Sequence, residues 1–160
     1  MPTAEELAIQ IADRPCAFGR ACRALADRGV NILALQSFPV STGASLVRFV
    51  VDNPTLAKRA LATEGFAYTE TEVAEVKLAH RPGALAQAAS RLADAGININ
   101  YTYCGVEPGT NPPLLILGVA EAGLAMAVLD QAAAEAAGAE RLRLVFSAGR
   151  RLSARLPAFS

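Results

Sequence analysis

The 160-residue chain contains one histidine, His80, and three cysteines, Cys16, Cys22 and Cys104. A lone imidazole with no cysteine near it in sequence provides no Ser/His/Asp or Cys/His set for nucleophilic catalysis. Cysteine spacings of 6 and 82 residues form neither a disulfide framework nor a C-x-x-C motif, so all three are expected to remain thiols. Paired acidic clusters are also missing, which leaves poor material for a metal site, and no cofactor is expected. Charge of either sign is not in excess: 15 Lys and Arg balance 15 Asp and Glu, which argues against nucleic acid as the main partner. The chain is 52% hydrophobic, yet no apolar run reaches the roughly 18 residues of a membrane span. Without a charged-then-apolar leader, the expected location is cytoplasmic. Neither a G-x-G-x-x-G after a strand nor a Walker motif is present. Together these absences turn the reading away from an enzyme and towards a binding protein.

What is present is a repeat. Ala12-Asp13-Arg14-Pro15-Cys16-Ala17-Phe18 leads to Leu25-Ala26-Asp27 and Gly29-Val30-Asn31-Ile32. Ala79-His80-Arg81-Pro82-Gly83-Ala84-Leu85 leads to Leu92-Ala93-Asp94 and Gly96-Ile97-Asn98-Ile99. Pro82 follows Pro15 by 67 residues, and Leu92, Gly96 and Asn98 follow Leu25, Gly29 and Asn31 by the same 67. A period of this length divides the chain into two small units. Units of that size bury too little surface to be comfortable alone, so the copies are expected to share an interface.

Each unit reads as β-α-β-β-α-β. Leu7, Ile9 and Ile11 alternate as in a half-buried strand. Asp13 is a candidate N-cap and Pro15 a first-turn proline. Phe18, Cys22 and Leu25 form a helical stripe that Gly29 stops. Strands follow over Val30 to Phe38 and Leu46 to Val51, with a turn from Pro39 to Ser45. A helix over Thr55 to Thr63 and a strand over Phe66 to Glu72 complete the unit. The second unit reads as strand Val73 to Ala79, helix Pro82 to Ala95, strand Ile97 to Val106, a Pro/Gly turn over Glu107 to Pro113, and strand Leu114 to Val119. It ends with helix Ala122 to Ala137, the stop Gly138 and strand Leu142 to Phe146. Right-handed crossovers in this order build an antiparallel sheet with both helices on one face, the ferredoxin-like arrangement. The units span 1–72 and 73–147, joined around Glu72 without a linker. Residues 148–160, with Arg150, Arg151 and Arg155, form a basic tail that reads as a solvated terminus or an anion-seeking arm.

The loop before each first helix is the candidate binding element. A tight turn entering a helix presents free N–H groups and a positive dipole end, a receptor for carboxylate or phosphate. Gly83 lets a ligand approach the backbone closely. Asn31 and Asn98 begin the second strands, where asparagine is disfavoured unless its amide has something to bind, and that amide can meet either end of an amino acid. Each has a plain rival: Pro15 and Pro82 start helices, Asp13 caps one, and His80, at the position equivalent to Asp13, serves the loop rather than a pH-linked role.

These residues resemble a known family. Arg81-Pro82-Gly83-Ala84-Leu85 after a strand, then Leu92-Ala93-Asp94-Ala95-Gly96-Ile97-Asn98-Ile99, looks like the ACT domain, a ferredoxin-like module that senses small molecules, usually amino acids. The likeness covers roughly residues 5 to 147, and Asn98-Ile99-Asn100-Tyr101-Thr102-Tyr103 resembles stand-alone bacterial tandem-ACT proteins. The first copy departs, with Cys16 in place of Gly and Phe18 in place of Leu. The resemblance implies an α+β fold of two tandem ferredoxin-like βαββαβ units side by side. It also implies an amino-acid ligand at the seam between them, with loop 13–17 facing strand 97–101 and loop 80–84 facing strand 30–34. The implied contacts are Asp13, Arg14, Pro15, Cys16, Ala17, Asn31 and Ile32 in the first unit. In the second they are His80, Arg81, Pro82, Gly83, Ala84, Asn98, Ile99 and Asn100.

Strand 30–38 carries Ile32 and Ala34 on one face and Leu33 and Leu35 on the other, so its far face should be covered, most simply by a second copy in a homodimer. Tyr101 and Tyr103 fall on the face of Ile97 and Ile99 and read as core or interface first, ligand stacking second; Cys104 lies opposite. The expected function is a non-catalytic amino-acid sensor. The alternatives are a regulatory subunit docking on an amino-acid biosynthetic enzyme, or a dimerisation module without a ligand.

Overall fold

The computed structural model describes residues 3–109 and 112–131. The strand expected at 142–146, the stop at Gly138, the last turns of the helix to Ala137 and the tail 148–160 lie outside the described residues. Along the chain run β1 (Thr3–Ala12), α1 (Ala17–Ala26), β2 (Ile32–Ser41), β3 (Ala44–Val51), α2 (Pro54–Thr63), β4 (Tyr68–Lys77), α3 (Ala84–Asp94), β5 (Ile99–Gly105) and β6 (Leu114–Val119). A further helix, α4, occupies 122–131. Among the described residues no helix is long and apolar enough to cross a membrane.

The repeat survives as a repeat of hydrogen bonds. Gly29, at φ 69°, ends α1 by donating to the Ala26 carbonyl at 2.9 Å, while Val30 N–H reaches back to Leu25 at 3.1 Å. Gly96 and Ile97 make the same pair of bonds to Ala93 and Leu92 at 2.9 and 2.8 Å. Such paired bonds around a left-handed residue satisfy carbonyls that the last helical turn leaves open. The α2 entrance is capped by Asn53, whose side chain accepts from Leu56 N–H at 3.0 Å, with Pro54 in the first turn.

Several boundaries shift from the sequence reading by one to three residues, and three differences change the architecture. First, α1 and α3 begin at Ala17 and Ala84, so Asp13 is not the cap of α1; Cys16 holds that place, with no side-chain cap bond. Second, the turn expected from Pro39 to Ser45 shrinks to Thr42-Gly43, and Pro39 lies inside β2 opposite Ser45. Beyond Ala34 no residue of β2 is in register with β5, and such an edge tolerates proline. Third, the strands expected at 66–72 and 73–79 are one strand, β4, unbroken across Glu72 and Val73.

All strand pairs are antiparallel, and the sheet closes in the order β1-β3-β2-β5-β6-β4 back to β1. The first half alone follows the order β4-β1-β3-β2 expected of a ferredoxin-like unit. The halves do not extend one another as flat neighbours, however. They curl until their helix-free faces meet inside a barrel, with β4 common to both: Tyr68–Ala74 pairs with β1, and Ala74–Lys77 with β6.

This closure makes three cores. Outside the first half, Leu7, Ile9, Leu25, Val47, Phe49 and Leu61 pack under α1 and α2. Outside the second, Ala74, Val76, Leu92, Leu115 and Leu117 pack under α3 and α4. Inside, Ala34, Val50, Val73, Tyr103, Leu114 and Ile116 fill the space between the sheets. Each fully buried Leu, Ile or Phe contributes about 1.5–3 kcal/mol relative to exposure.

Two irregularities decide which side chains face inward. A register shift between Ile32 and Ala34 sends Ile32 and Leu35 to the first outer core, and Leu33 and Ala34 to the inner one. A second shift between Ile99 and Tyr101 separates Ile97 and Ile99, on the α3 side, from Tyr101 and Tyr103 inside. The expected groupings of Ile32 with Ala34, Leu33 with Leu35, and Ile97 and Ile99 with the tyrosines therefore fail, because a bulge breaks strict alternation. The far face of β2 is indeed covered near its start, by the second half of the same chain. The observation that suggested a homodimer is met internally.

Candidate functional site

The two helix entrances have one backbone shape. Arg14 N–H donates to Ala12 and Arg81 N–H to Ala79, at 2.9 and 2.8 Å; Ala17 N–H reaches Arg14 and Ala84 N–H reaches Arg81, both at 3.3 Å. The residue after each proline turns left-handed, Cys16 at φ 72° and Gly83 at φ 88°. Glycine adopts this conformation freely, whereas for cysteine it costs about 1 kcal/mol or more. Among the described residues Cys16 is the one non-glycine with positive φ. Neither entrance has a side-chain cap, so past the Ala17 and Ala84 N–H groups the first-turn donors have no side-chain acceptor.

At the α1 entrance these groups border a cleft of about 380 Å³. It is lined by the loop 14–17, by Gln10, Ile11 and Ala12 from the end of β1, by Arg20 one turn into α1, and by Gly65 and Phe66 after α2. Arg20 is held in place twice: its guanidinium stacks on Phe66, 5.2 Å from the ring centre, and donates to the Glu64 carbonyl at 3.3 Å. Two arginines, a helix N-terminus and an amide side chain thus surround the opening. That combination favours an anion with a polar neighbour.

The other residues singled out from the sequence are more scattered. Asp13 and His80 are exposed in their loops, and Asp13 N–H donates to the Gly43 carbonyl at 2.9 Å. Asn31 donates its backbone N–H to Asp52 Oδ1 at 2.9 Å and receives Asp52 N–H at 3.1 Å. Asn98 Nδ2 donates to Asn100 Oδ1 at 2.9 Å, both side chains exposed. Arg14, Pro15, Cys16 and Ala17 are brought together on the cleft. Asn31, Ile32, Asn98, Ile99 and Asn100 do not line it, and all of its lining residues belong to the first half. Arg81, Pro82, Gly83 and Ala84 form the equivalent entrance of the second half. Gln10, Arg20, Gly65 and Phe66 join the cleft only through tertiary folding, and nothing in the repeat points to them.

A second cluster lies inside the barrel. Glu6 of β1 is fully buried, at 0% exposure. Its Oε1 accepts from Arg48 at 2.6 Å and from Tyr101 Oη at 2.8 Å, and its Oε2 accepts from Tyr103 Oη at 2.7 Å. The Arg48 guanidinium lies 4.1 Å from the centre of the Tyr101 ring, and the tyrosine rings stack at 6.4 Å. Burial, then the hydrogen bond and charge of Glu6, push the Tyr101 hydroxyl up to about 12 and raise that of Tyr103 further. A Cβ at Gly118 would come within 2.2 Å of Tyr101, so glycine there makes room for the ring. The signal in the sequence was Arg48, alone in the apolar run Leu46 to Val51.

No family model matches the chain, and no curated protein matches it. Solved structures do. A protein from Bacteroides thetaiotaomicron is similar at 24% identity and a TM-score of 0.72, over 81% of this chain and 88% of that one. The ligand-free regulatory subunit of aspartate kinase from Thermus thermophilus matches at 21% identity and a TM-score of 0.57, over 81% and 91%. The regulatory subunit from Thermus flavus matches at 20% and 0.55, over 82% and 94%. The fold is shared with these proteins. The α1 entrance and the Glu6 cluster draw on different points of the same strand, β1. Among the described residues no group of three or more His, Cys, Asp or Glu could hold a metal ion.

Proposed function

We propose that this chain is a non-catalytic regulatory protein that binds a small zwitterion, an amino acid, at the entrance to α1. The observation that carries the reading is the uncapped, left-handed entry at Cys16 opening into a cleft beside Arg14 and Arg20. The ligand carboxylate faces the first-turn N–H groups and the arginines, and Gln10 offers an amide oxygen to the ammonium. At about 380 Å³ the cleft falls at the lower end of the range for small-molecule sites, about 300–1,000 Å³. The repeated hydrogen bonds and the fold shared with aspartate kinase regulatory subunits support the tandem-ACT reading. In that reading the α3 entrance is a second, equivalent site.

A thermal-shift screen against the twenty amino acids tests this. An amino acid at about 100 times its Kd stabilises the fold by ~2.7 kcal/mol. Arg14→Ala and Arg20→Ala should each weaken that shift. Full shifts in both would place the site elsewhere, and no shift with any amino acid would remove the reading.

A second reading is a subunit that docks on an amino-acid biosynthetic enzyme. It is supported by the near full-length match to the Thermus proteins, which are regulatory subunits of aspartate kinase. Light scattering on a mixture with an aspartate kinase catalytic subunit separates the two: a shared peak favours the docked subunit, separate peaks the free-standing sensor.

A further inference from the structure

We propose that the barrel is a clamshell hinged along β4 and clasped by Glu6 with Tyr101 and Tyr103, built to open at the seam between β2 and β5. The hinge side is continuous in two senses. β4 is a single strand that belongs to both halves, and its pairing passes from β1 to β6 at Ala74 without interruption. The opposite side is held by far less. Among the described residues, β2 and β5 are in register at one pair, Ala34 opposite Gly105, with one further bond from Val106 N–H to the Leu33 carbonyl at 2.8 Å. A Cβ at Gly105 would come within 2.1 Å of the Leu33 carbonyl oxygen, so even this contact depends on a glycine.

The clasp joins the halves where the strands part. Glu6 and Arg48 come from the first half, and Tyr101 and Tyr103 from the seam strand of the second. Such a cluster is a poor choice if the only task is permanent closure. Apolar side chains of the same volume would hold as well or better, because a buried carboxylate and guanidinium must be stripped of water. What the polar cluster allows is release, since every one of its groups regains water when the halves separate. The closed state also leaves two buried atoms without partners, Gln36 Oε1 and Arg48 Nε, on residues that face one another in the β2–β3 register beside the seam. Opening would hydrate both and return part of what burying them costs. The helix-backed outer cores take no part in this movement, so each half can stay folded while the inner face is exposed.

The test is hydrogen exchange on the full chain with Tyr101→Phe and Tyr103→Phe combined. The proposal expects amides at 33–36 and 103–106 to exchange on the order of tenfold faster, with α1 and α3 amides changed several-fold less. Acceleration by one common factor throughout would show that the cluster serves global stability alone, and would overturn the proposal. So would a seam whose exchange does not change. If the double variant does not fold, Gly118→Ala, which displaces the Tyr101 ring without altering the carboxylate or either hydroxyl, is read by the same criterion.

Discussion

Tyr103 donates its hydroxyl to Glu6 at 2.7 Å across 97 positions of sequence, joining the fifth strand of the barrel to the first. Both residues are buried, Tyr103 at 8% exposure and Glu6 at 0%. Glu6→Ala should therefore do more than remove one bond. It leaves two tyrosine hydroxyls and a largely buried guanidinium without their acceptor, a loss of about 3–5 kcal/mol. Glu6→Gln, which keeps an acceptor, should cost less. Urea unfolding midpoints check the order, and equal midpoints for wild type and Glu6→Ala would contradict the network.

Alkaline pH should weaken the fold through the same residues. The folded-state pKa of Tyr101 lies at about 12, above the value of about 10 for an exposed tyrosine, and that of Tyr103 is also raised. The neutral hydroxyls' contribution is therefore fully present below pH ~10 and is lost as pH rises through about 12. Urea midpoints should fall across that window. Phenolate absorbance in the near ultraviolet should show both tyrosines ionising late, and their ionisation in the ordinary range would refute the prediction.

Cys16→Gly should stabilise the protein. It removes a left-handed cysteine at φ 72°, a strain of about 1–3 kcal/mol, and gives back up to ~1 kcal/mol through the freer unfolded chain. The net gain of roughly 1 kcal/mol corresponds to a rise of about 2–4 °C in Tm. Gly83→Ala, at φ 88° in the equivalent entrance, should move Tm the other way. Calorimetry on the two variants reads the sign directly.

Asn53→Ala removes the side-chain cap of α2 and should cost about 1 kcal/mol, measured by urea unfolding. Asp13→Ala should cost far less, since Asp13 engages its surroundings through its backbone N–H rather than as a cap.

Much of the architecture was legible because the repeat carries its own punctuation. Gly29 and Gly96 stop their helices with the same bonds, and β6 spans Leu114–Val119 as its apolar run implied. Closure of the barrel was not legible, for a physical reason. The strand faces that meet inside carry Glu6 and Arg48 among their apolar residues, and two charges there read as solvent-facing until a partner from the other half is supplied. The bulges near Leu33 and Asn100 are likewise silent in the sequence, yet each reassigns the side chains on either side of it. At the candidate site, the loop 14–17 was legible from its Arg-Pro motif and the dipole argument. Arg20 and Phe66 were not, because their meeting depends on how α1 and α2 lie together on one sheet.

β4 makes the duplicated unit indivisible. Truncation after residue 72 would strip Val73 from the space between the sheets and deprive Thr3 of its partner Ala74. A fragment beginning at residue 73 would in turn start mid-strand, without the β1 neighbour that flanks Ala74. Expression of either half alone should therefore yield aggregates rather than a miniature of the parent, and a protease has no joint between the halves at which to cut.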